Sequence, residues 1–267
     1  MLPQKVFISR WNERLALIYE LTLRDFQVKY LGSYLGVVWA FLHPVIYIVI
    51  LWFICHFGFR SNPVNDFPFI LWLVSGMVPW FFFTDSMNGA SNAVVENSFL
   101  VKKVLFSIEL LPVVKIVSSL VIHLFFVVIL FVMFAAYGFT PSIHSLQVVY
   151  YLFAEIVLLL GLSWLTSSVV VFLRDMGQVV NVALQLLFWM TPVFWPASAL
   201  PARFHLLAKL NPVYYIVDGY RSAFIDKTWF WESHRAWTLY FWCVTIVTLA
   251  VGALVFRKLR PRFADVL

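Results

Sequence analysis

Residues 116–154, between Lys115 and Glu155, read IVSSLVIHLFFVVILFVMFAAYGFTPSIHSLQVVYYLFA and hold no Asp, Glu, Lys or Arg. A helix needs roughly 20 apolar residues to cross a hydrocarbon core of about 30 Å. The stretch is about twice that length, and Gly138 and Pro141 punctuate its middle. It therefore reads as two spans, about Pro112 to Tyr137 and about Leu146 to Leu173, joined by a short turn. In lipid each backbone polar group must be satisfied internally, so the spans are expected as helices. A β-barrel would show alternating segments of about 10 residues, and this run is too evenly apolar for that.

The same feature recurs on both sides. Uncharged runs separate Lys29 from Arg60, Asp66 from Asp85, Glu155 from Arg174, Asp175 from Arg203, and Arg235 from Arg257. They add spans at roughly Tyr34 to Phe59, Phe67 to Asn92, Gly177 to Trp195 and Ala236 to Phe256. The expected fold class is an all-α membrane protein. It has six transmembrane helices in one domain over residues 31–267, preceded by an N-terminal amphipathic interface helix over 1–30. Composition agrees: 63% of the residues are hydrophobic, 12% are charged, and mean hydropathy is +0.89. Globular chains run at roughly 45–50% apolar and about 25% charged. A soluble domain has to wet its outside and a disordered chain needs low hydrophobicity, so both classes are excluded. Cys55 and Cys243 lie far apart inside apolar runs, which argues against a disulfide framework or a zinc site. The first 30 residues carry Lys5, Arg10, Glu13, Arg14, Glu20, Arg24, Asp25 and Lys29 rather than the apolar core of a cleavable signal.

On a helical wheel Trp11, Leu15, Ile18, Tyr19 and Phe26 share one side of residues 1–30, and Glu13, Glu20, Arg24 and Gln27 share the other. Such a helix lies in the interface plane. It serves as a plain anchor or as a docking surface for a cytoplasmic partner, and periodicity does not choose. With the N-terminus inside, thirteen of the nineteen lysines and arginines fall on the cytoplasmic side, which favours two cytoplasmic termini. The net charge of +6 then faces an anionic inner leaflet, and nucleic acid need not be invoked. The segment at about 196–235 carries apolar pieces too short to span, at Phe204–Leu207 and Val213–Val217, with Pro201 and Pro212 between them. Interfacial or re-entrant short helices, resting on the bilayer or the bundle, are its natural form.

Chemistry-bearing groups are sparse. The six histidines, His43, His56, His123, His144, His205 and His234, show no metal spacing. Asp85 and Glu155 are intramembrane acids, which are costly and functional by default. Asp85, with Thr84, Ser86 and Asn88, suggests a helix break, and neither acid comes with an evident Lys or Arg partner. A hydrogen-bonded structural role and a proton-relay role both stay open. No G-x-x-x-x-G-K-[ST] stretch is present, so the chain lacks that phosphate cradle. No catalytic group, cofactor or metal is expected in it. Aromatics are abundant, with Phe 28, Trp 12 and Tyr 11. Interfacial anchoring explains many of them, and stacking on sugar faces is the sharper use. Gly32 and Gly36 permit close helix approach, as Ser163 and Ser167 do more weakly. Glu96–Lys103 reads as a short cytoplasmic helix, and Arg174-Asp175 as a tight polar turn on the same side.

Several stretches in order resemble permeases of type-2 ABC exporters for cell-surface polysaccharides, the O-antigen, capsule and teichoic-acid exporters. They are YLGSYLGVVWAFLHP (Tyr30 to Pro44), SGMVPWFFF (Ser75 to Phe83), FLVKKVLF with a following LLP (Phe99 to Pro112), FLRDM (Phe172 to Met176), FWMTPVFW (Phe188 to Trp195) and LNPVYY (Leu210 to Tyr215). The resemblance implies a six-span half-transporter in the bacterial cytoplasmic membrane that pairs with a second copy of itself. It also implies two separate nucleotide-binding subunits, which hold ATP and Mg, and lipid-linked polysaccharide as cargo. Contacts to those subunits would come from Glu13, Glu20, Arg24, Glu96, Lys102, Lys103, Arg174 and Asp175. An external gate at about Ala197–Phe224 would include Pro201, Asn211, Pro212, Tyr214, Tyr215 and Arg221. Trp39, Tyr47, Trp80, Phe83 and Trp189 are candidate sugar contacts in a channel between protomers. Asp85 departs from the uncharged polar residue the resemblance leads one to expect. The competing classes are a stand-alone secondary transporter and a membrane glycosyltransferase acting on polyprenyl-linked sugars, for which Asp218, Arg221 and Asp226 are the nearest thing to a diphosphate pocket.

Overall fold

A computed structural model describes residues 2–30, 36–58, 67–102, 107–233 and 235–267, with the side chains of 2–14, 30, 202 and 233 left aside. The regular structure within those residues is helical. Helix α1 (Leu2–Tyr30) is followed by α2 (Val38–Phe53), which continues as a π turn over Ile54–Gly58. Next come α3 (Phe69–Glu96), the short α4 (Ser98–Val101), α5 (Leu110–Ala136) and α6 (Gln147–Phe172). Then follow α7 (Met176–Met190), α8 (Ala202–Leu210), α9 (Pro212–Arg221), α10 (Phe230–Ser233), α11 (Arg235–Leu259) and α12 (Phe263–Val266). Gly32, Lys103 and His234 lie outside the described residues, as do the side chains of Trp11 and Glu13.

Among the described residues, five segments are long and apolar enough to cross a membrane: Val38–Gly58, Phe69–Glu96, Leu110–Ala136, Ile143–Phe172 and Arg235–Val266. The segment expected as a span at Gly177 to Trp195 is shorter. Helix α7 has 15 residues, about 22 Å at roughly 1.5 Å per residue. It ends because Pro192 forces the preceding residue out of the helical region; Thr191 is extended, and its hydroxyl caps the Leu187 carbonyl at 2.6 Å.

The turn expected at Gly138 closes α5. Gly138 has φ +84°. Its N–H bonds Ala135 O at 3.0 Å, and Phe139 N–H bonds Phe134 O at 2.9 Å. That pair of bonds is the Schellman cap, which needs a left-handed residue.

The core is built around α3, which packs on α5, α6, α7, α9 and α2. The break expected at Asp85 is absent, and α3 runs without interruption. Two of its polar side chains turn back on their own helix: Thr84 Oγ1 donates to Trp80 O at 3.0 Å, and Asn92 Nδ2 donates to Asn88 O at 3.2 Å. Such local bonds satisfy the side chains in lipid without breaking the ladder.

Helix α9 is short and buried against the bundle. Asn211 accepts from Val213 N–H at 3.0 Å and Pro212 opens the helix, as cap and first-turn chemistry prefer. Val213, Ile216, Val217 and Tyr220 form its buried stripe, at helical spacing. It lies against α3, α6 and α11. A second core under α4 gathers Leu100, Val101, Phe256 and Phe263, so the C-terminal turn folds back against α4.

Candidate functional site

Two charge clusters hold α1 to the bundle. Lys115 on α5 places its Nζ 2.7 Å from Asp25 Oδ1 and 2.8 Å from Glu96 Oε2. One amine thereby joins α1, α3 and α5. One turn further along α1, Lys29 Nζ sits 2.7 and 2.9 Å from the two carboxylate oxygens of Asp85. Ser119 Oγ donates to Asp85 Oδ2 at 2.6 Å. Asp85 thus has the basic partner that spacing along the sequence did not reveal. The partner comes from the helix before the first span, and only packing brings the two together.

A charge-assisted hydrogen bond contributes about 1.5–3 kcal/mol, and Lys115 and Asp25 are both largely buried. In Lys115→Met, trypsin is expected to cut after Arg24 roughly tenfold faster, because proteolysis follows the population of the opened seam. An unchanged cutting rate in the purified protein would show that apolar packing alone holds α1.

Above these clusters a cleft of about 450 Å³ separates α2 from α3 and α5. Trp39, His43, Phe81, Asp85, Asn88 and His123 are among its walls. Of the five aromatic candidates, Trp39 lines this cleft and is 47% exposed. Tyr47 is edge-on to Phe81 and Phe188 and is partly exposed. Trp189, 64% exposed, stands on the outer face of α7. Trp80 and Phe83, at 4% and 2%, are packed inside the protomer.

The gate candidates are tied into the core. Tyr215 OH bonds Tyr150 OH and Thr238 Oγ1, each at 3.0 Å. Tyr150 OH accepts from Trp242 Nε1 at 2.9 Å. The network therefore joins α6, α9 and α11. Asn211 Nδ2 donates to Thr191 Oγ1 at 2.7 Å, fixing the start of α9 to the end of α7. Tyr214 is half-buried, and Pro201 precedes α8. Arg221 is 5% exposed. Its guanidinium donates to the carbonyls of Trp72, Pro192 and Val193 and lies 3.6 Å from the Trp72 ring centre. Arg221, Asp218 and Asp226 line one small pocket of about 140 Å³, but three of the five Arg221 N–H donors are spent on backbone, and two carboxylates beside one cation disfavour a diphosphate there.

Two polar groups named from the sequence, His123 and Glu155, lie inside the bundle. His123 Nε2 lies 2.9 Å from Tyr220 OH, bonding α5 to α9. Glu155 is fully buried, and neither carboxylate oxygen has a hydrogen-bond partner among the described residues. Glu155 stood out in the sequence as an acid between two uncharged runs, whereas the Tyr220 partner of His123 was not legible.

The coupling candidates are surface groups. Glu20, Arg24, Glu96, Lys102, Arg174 and Asp175 are all exposed. Arg24 lies 5.5 Å from the centre of the Phe99 ring, and Arg24, Glu96 and Phe99 share one groove between α1 and α4. Arg174 and Asp175 sit in the turn before α7, where Gly177 packs on Asn92 of α3.

These features define a class: a multi-pass, all-helical membrane protein with a charge-clamped leading helix and a short helix, α9, locked into its core. The chain belongs to the ABC-2 type transporter family, which its residues 16–225 match. It is 26% identical over 252 residues to an O-antigen export system permease protein of Klebsiella pneumoniae, covering 94% of this chain and 95% of that one. A permease of the same description from Myxococcus xanthus is 27% identical, covering 93% and 94%. A polysialic acid transport protein of Escherichia coli is 23% identical over 241 residues, covering 89% and 91%.

Proposed function

We propose that this chain is the channel-forming permease subunit of an ATP-driven exporter. It moves lipid-linked polysaccharide, O-antigen or a related glycan, across the bacterial cytoplasmic membrane. The observation that carries the reading is the likeness over nine-tenths of the chain to permeases named for export of O-antigen and polysialic acid. The missing P-loop stretch supports a separate nucleotide-binding subunit that supplies ATP and Mg. Two copies of each subunit, with the channel between the permeases, give the working unit. The lysine and arginine distribution supports cytoplasmic termini.

In this reading the exposed groups Glu20, Arg24, Glu96, Lys102, Arg174 and Asp175, with Glu13 and Lys103, meet the nucleotide-binding subunit. Closure of that subunit on ATP pushes α1 and α4. The Lys115 and Lys29 clusters pass the push to α3 and α5, which carry one wall of the cleft. The buried network around Tyr215 and Arg221 keeps α9 rigid at the opposite end. Trp39, Tyr47 and Trp189 reach the protomer surface and offer flat faces to passing sugars, and Trp80 and Phe83 back them.

Co-expression with a nucleotide-binding subunit encoded beside it is expected to yield a two-plus-two complex that hydrolyses ATP. A folded, monodisperse permease that takes up no such subunit would overturn the reading.

A further inference from the structure

The cleft between α2, α3 and α5 has a size, a shape and a charge balance of its own. Its volume of about 450 Å³ falls in the range of roughly 300–1,000 Å³ typical of small-ligand sites. One wall is aromatic, with Trp39 and Phe81. The other end is polar, with Lys29, Asp85, Asn88 and Ser119.

The polar end is balanced rather than cationic. Lys29 is held by both oxygens of Asp85, at 2.7 and 2.9 Å, and Ser119 donates to one of them at 2.6 Å. A phosphate would meet the Asp85 carboxylate, and among the described lining residues no lysine or arginine beyond Lys29 offsets it, the other basic groups there being the imidazoles of His43 and His123. A hydrocarbon tail would have to cover an ion pair, which is costly to strip of polar partners. A ring of hydroxyl groups meets neither problem. A carboxylate has about four acceptor sites, so Asp85 retains capacity beside its three bonds. An indole face complements the C–H face of a pyranose, with edges free for polar contacts.

We propose that this cleft is a binding site for one uncharged sugar ring of the cargo, with Trp39 as its stacking face and the Lys29–Asp85–Ser119 cluster as its hydroxyl-binding end. The proposal rests on the exporter reading above and adds a location within a single protomer.

The test uses the permease in complex with its nucleotide-binding subunit, in lipid nanodiscs. Cys55 and Cys243 are replaced by Ala, and the exposed cleft residue Asn88 by Cys. The rate of Asn88→Cys labelling by a charged methanethiosulfonate reagent is measured with four probes: neutral methyl pyranosides, inorganic pyrophosphate, farnesol, or buffer. A methyl pyranoside is expected to slow labelling about threefold at roughly twice its Kd, and Trp39→Ala is expected to remove that protection. Slowing by pyrophosphate or farnesol instead of a sugar would overturn the proposal, as would protection that survives Trp39→Ala or slowing by no probe. In each of these cases a complex that still co-purifies and hydrolyses ATP leaves the exporter reading standing, so the two failures are distinguishable.

Discussion

Arg221→Ala is expected to cost this protein most of its thermal stability. The side chain is nearly inaccessible, and its guanidinium serves three carbonyls on two separate parts of the chain, Trp72 in α3 and Pro192 and Val193 after α7. Truncation leaves those carbonyls without their donor, at about 1–3 kcal/mol for each that stays dry. It also uncovers the Trp72 face on which the cation rests. Domains are stable by only about 5–15 kcal/mol. The thermal midpoint in detergent is expected to fall by roughly 10 °C, at about 2–4 °C per kcal/mol for a chain of this size. Arg221→Lys should fall between, since an ammonium keeps the charge but not the planar fork. Arg203→Ala, at an exposed position, is the control and should change stability by less than about 0.5 kcal/mol. A midpoint for Arg221→Ala equal to the parent would remove Arg221 from its anchoring role. Gly76 belongs to the same device: a Cβ there would stand 2.5 Å from Arg221 Nη2.

Gly252→Leu is expected to prevent a monodisperse fold, and Gly252→Ala to lower the midpoint by several degrees. Two effects compete at this helical position. Propensity favours Ala over Gly by about 1 kcal/mol. Packing opposes it, because a Cβ at Gly252 would collide with the carbonyl oxygen of Gly161, and one at Gly161 would meet the Leu249 backbone at 2.7 Å. Overpacking against a side chain costs about 1–3 kcal/mol. Here the obstacle is backbone on both sides, so the whole α6–α11 crossing must widen and packing wins. Widening also pulls Thr238 and Trp242 away from Tyr215 and Tyr150, whose hydroxyls join α11 to α6 and α9. A melting curve for Gly252→Ala that moves upward would show that the crossing is loose and propensity rules.

The spans were legible because lipid imposes one rule on every crossing segment. Charge-free runs, read against membrane thickness, placed the ends of α2, α3, α5 and α6 within several residues although Asp85 and Glu155 fall inside α3 and α6, and Gly138 marked the close of α5 through its required left-handed backbone. The apolar pieces around Pro212 were legible as short helices, again from length against membrane thickness. The helix break near Asp85 was not real. Thr84 bonds the carbonyls of its own helix and Asp85 is held by Lys29 and Ser119, so a row of Thr, Asp, Ser and Asn that looks like a turn is one continuous helix. The crossing at Gly161 and Gly252 was passed over in favour of Gly32 and Gly36, because close approach depends on which face of each helix meets the other.

By itself the sequence determined the class, the helical content and the order of the crossings, since these follow from local hydropathy and from backbone satisfaction in lipid. Its motifs in register pointed to the family. Only the tertiary structure decided the pairings: Lys29 with Asp85, Lys115 between Asp25 and Glu96, Arg221 with the carbonyls around Trp72 and Val193, and the burial of α9 between α3, α6 and α11. The reason is physical. A charge or a hydroxyl in a membrane bundle must find a partner, and along the chain many partners are possible; helix packing brings one of them within 3 Å.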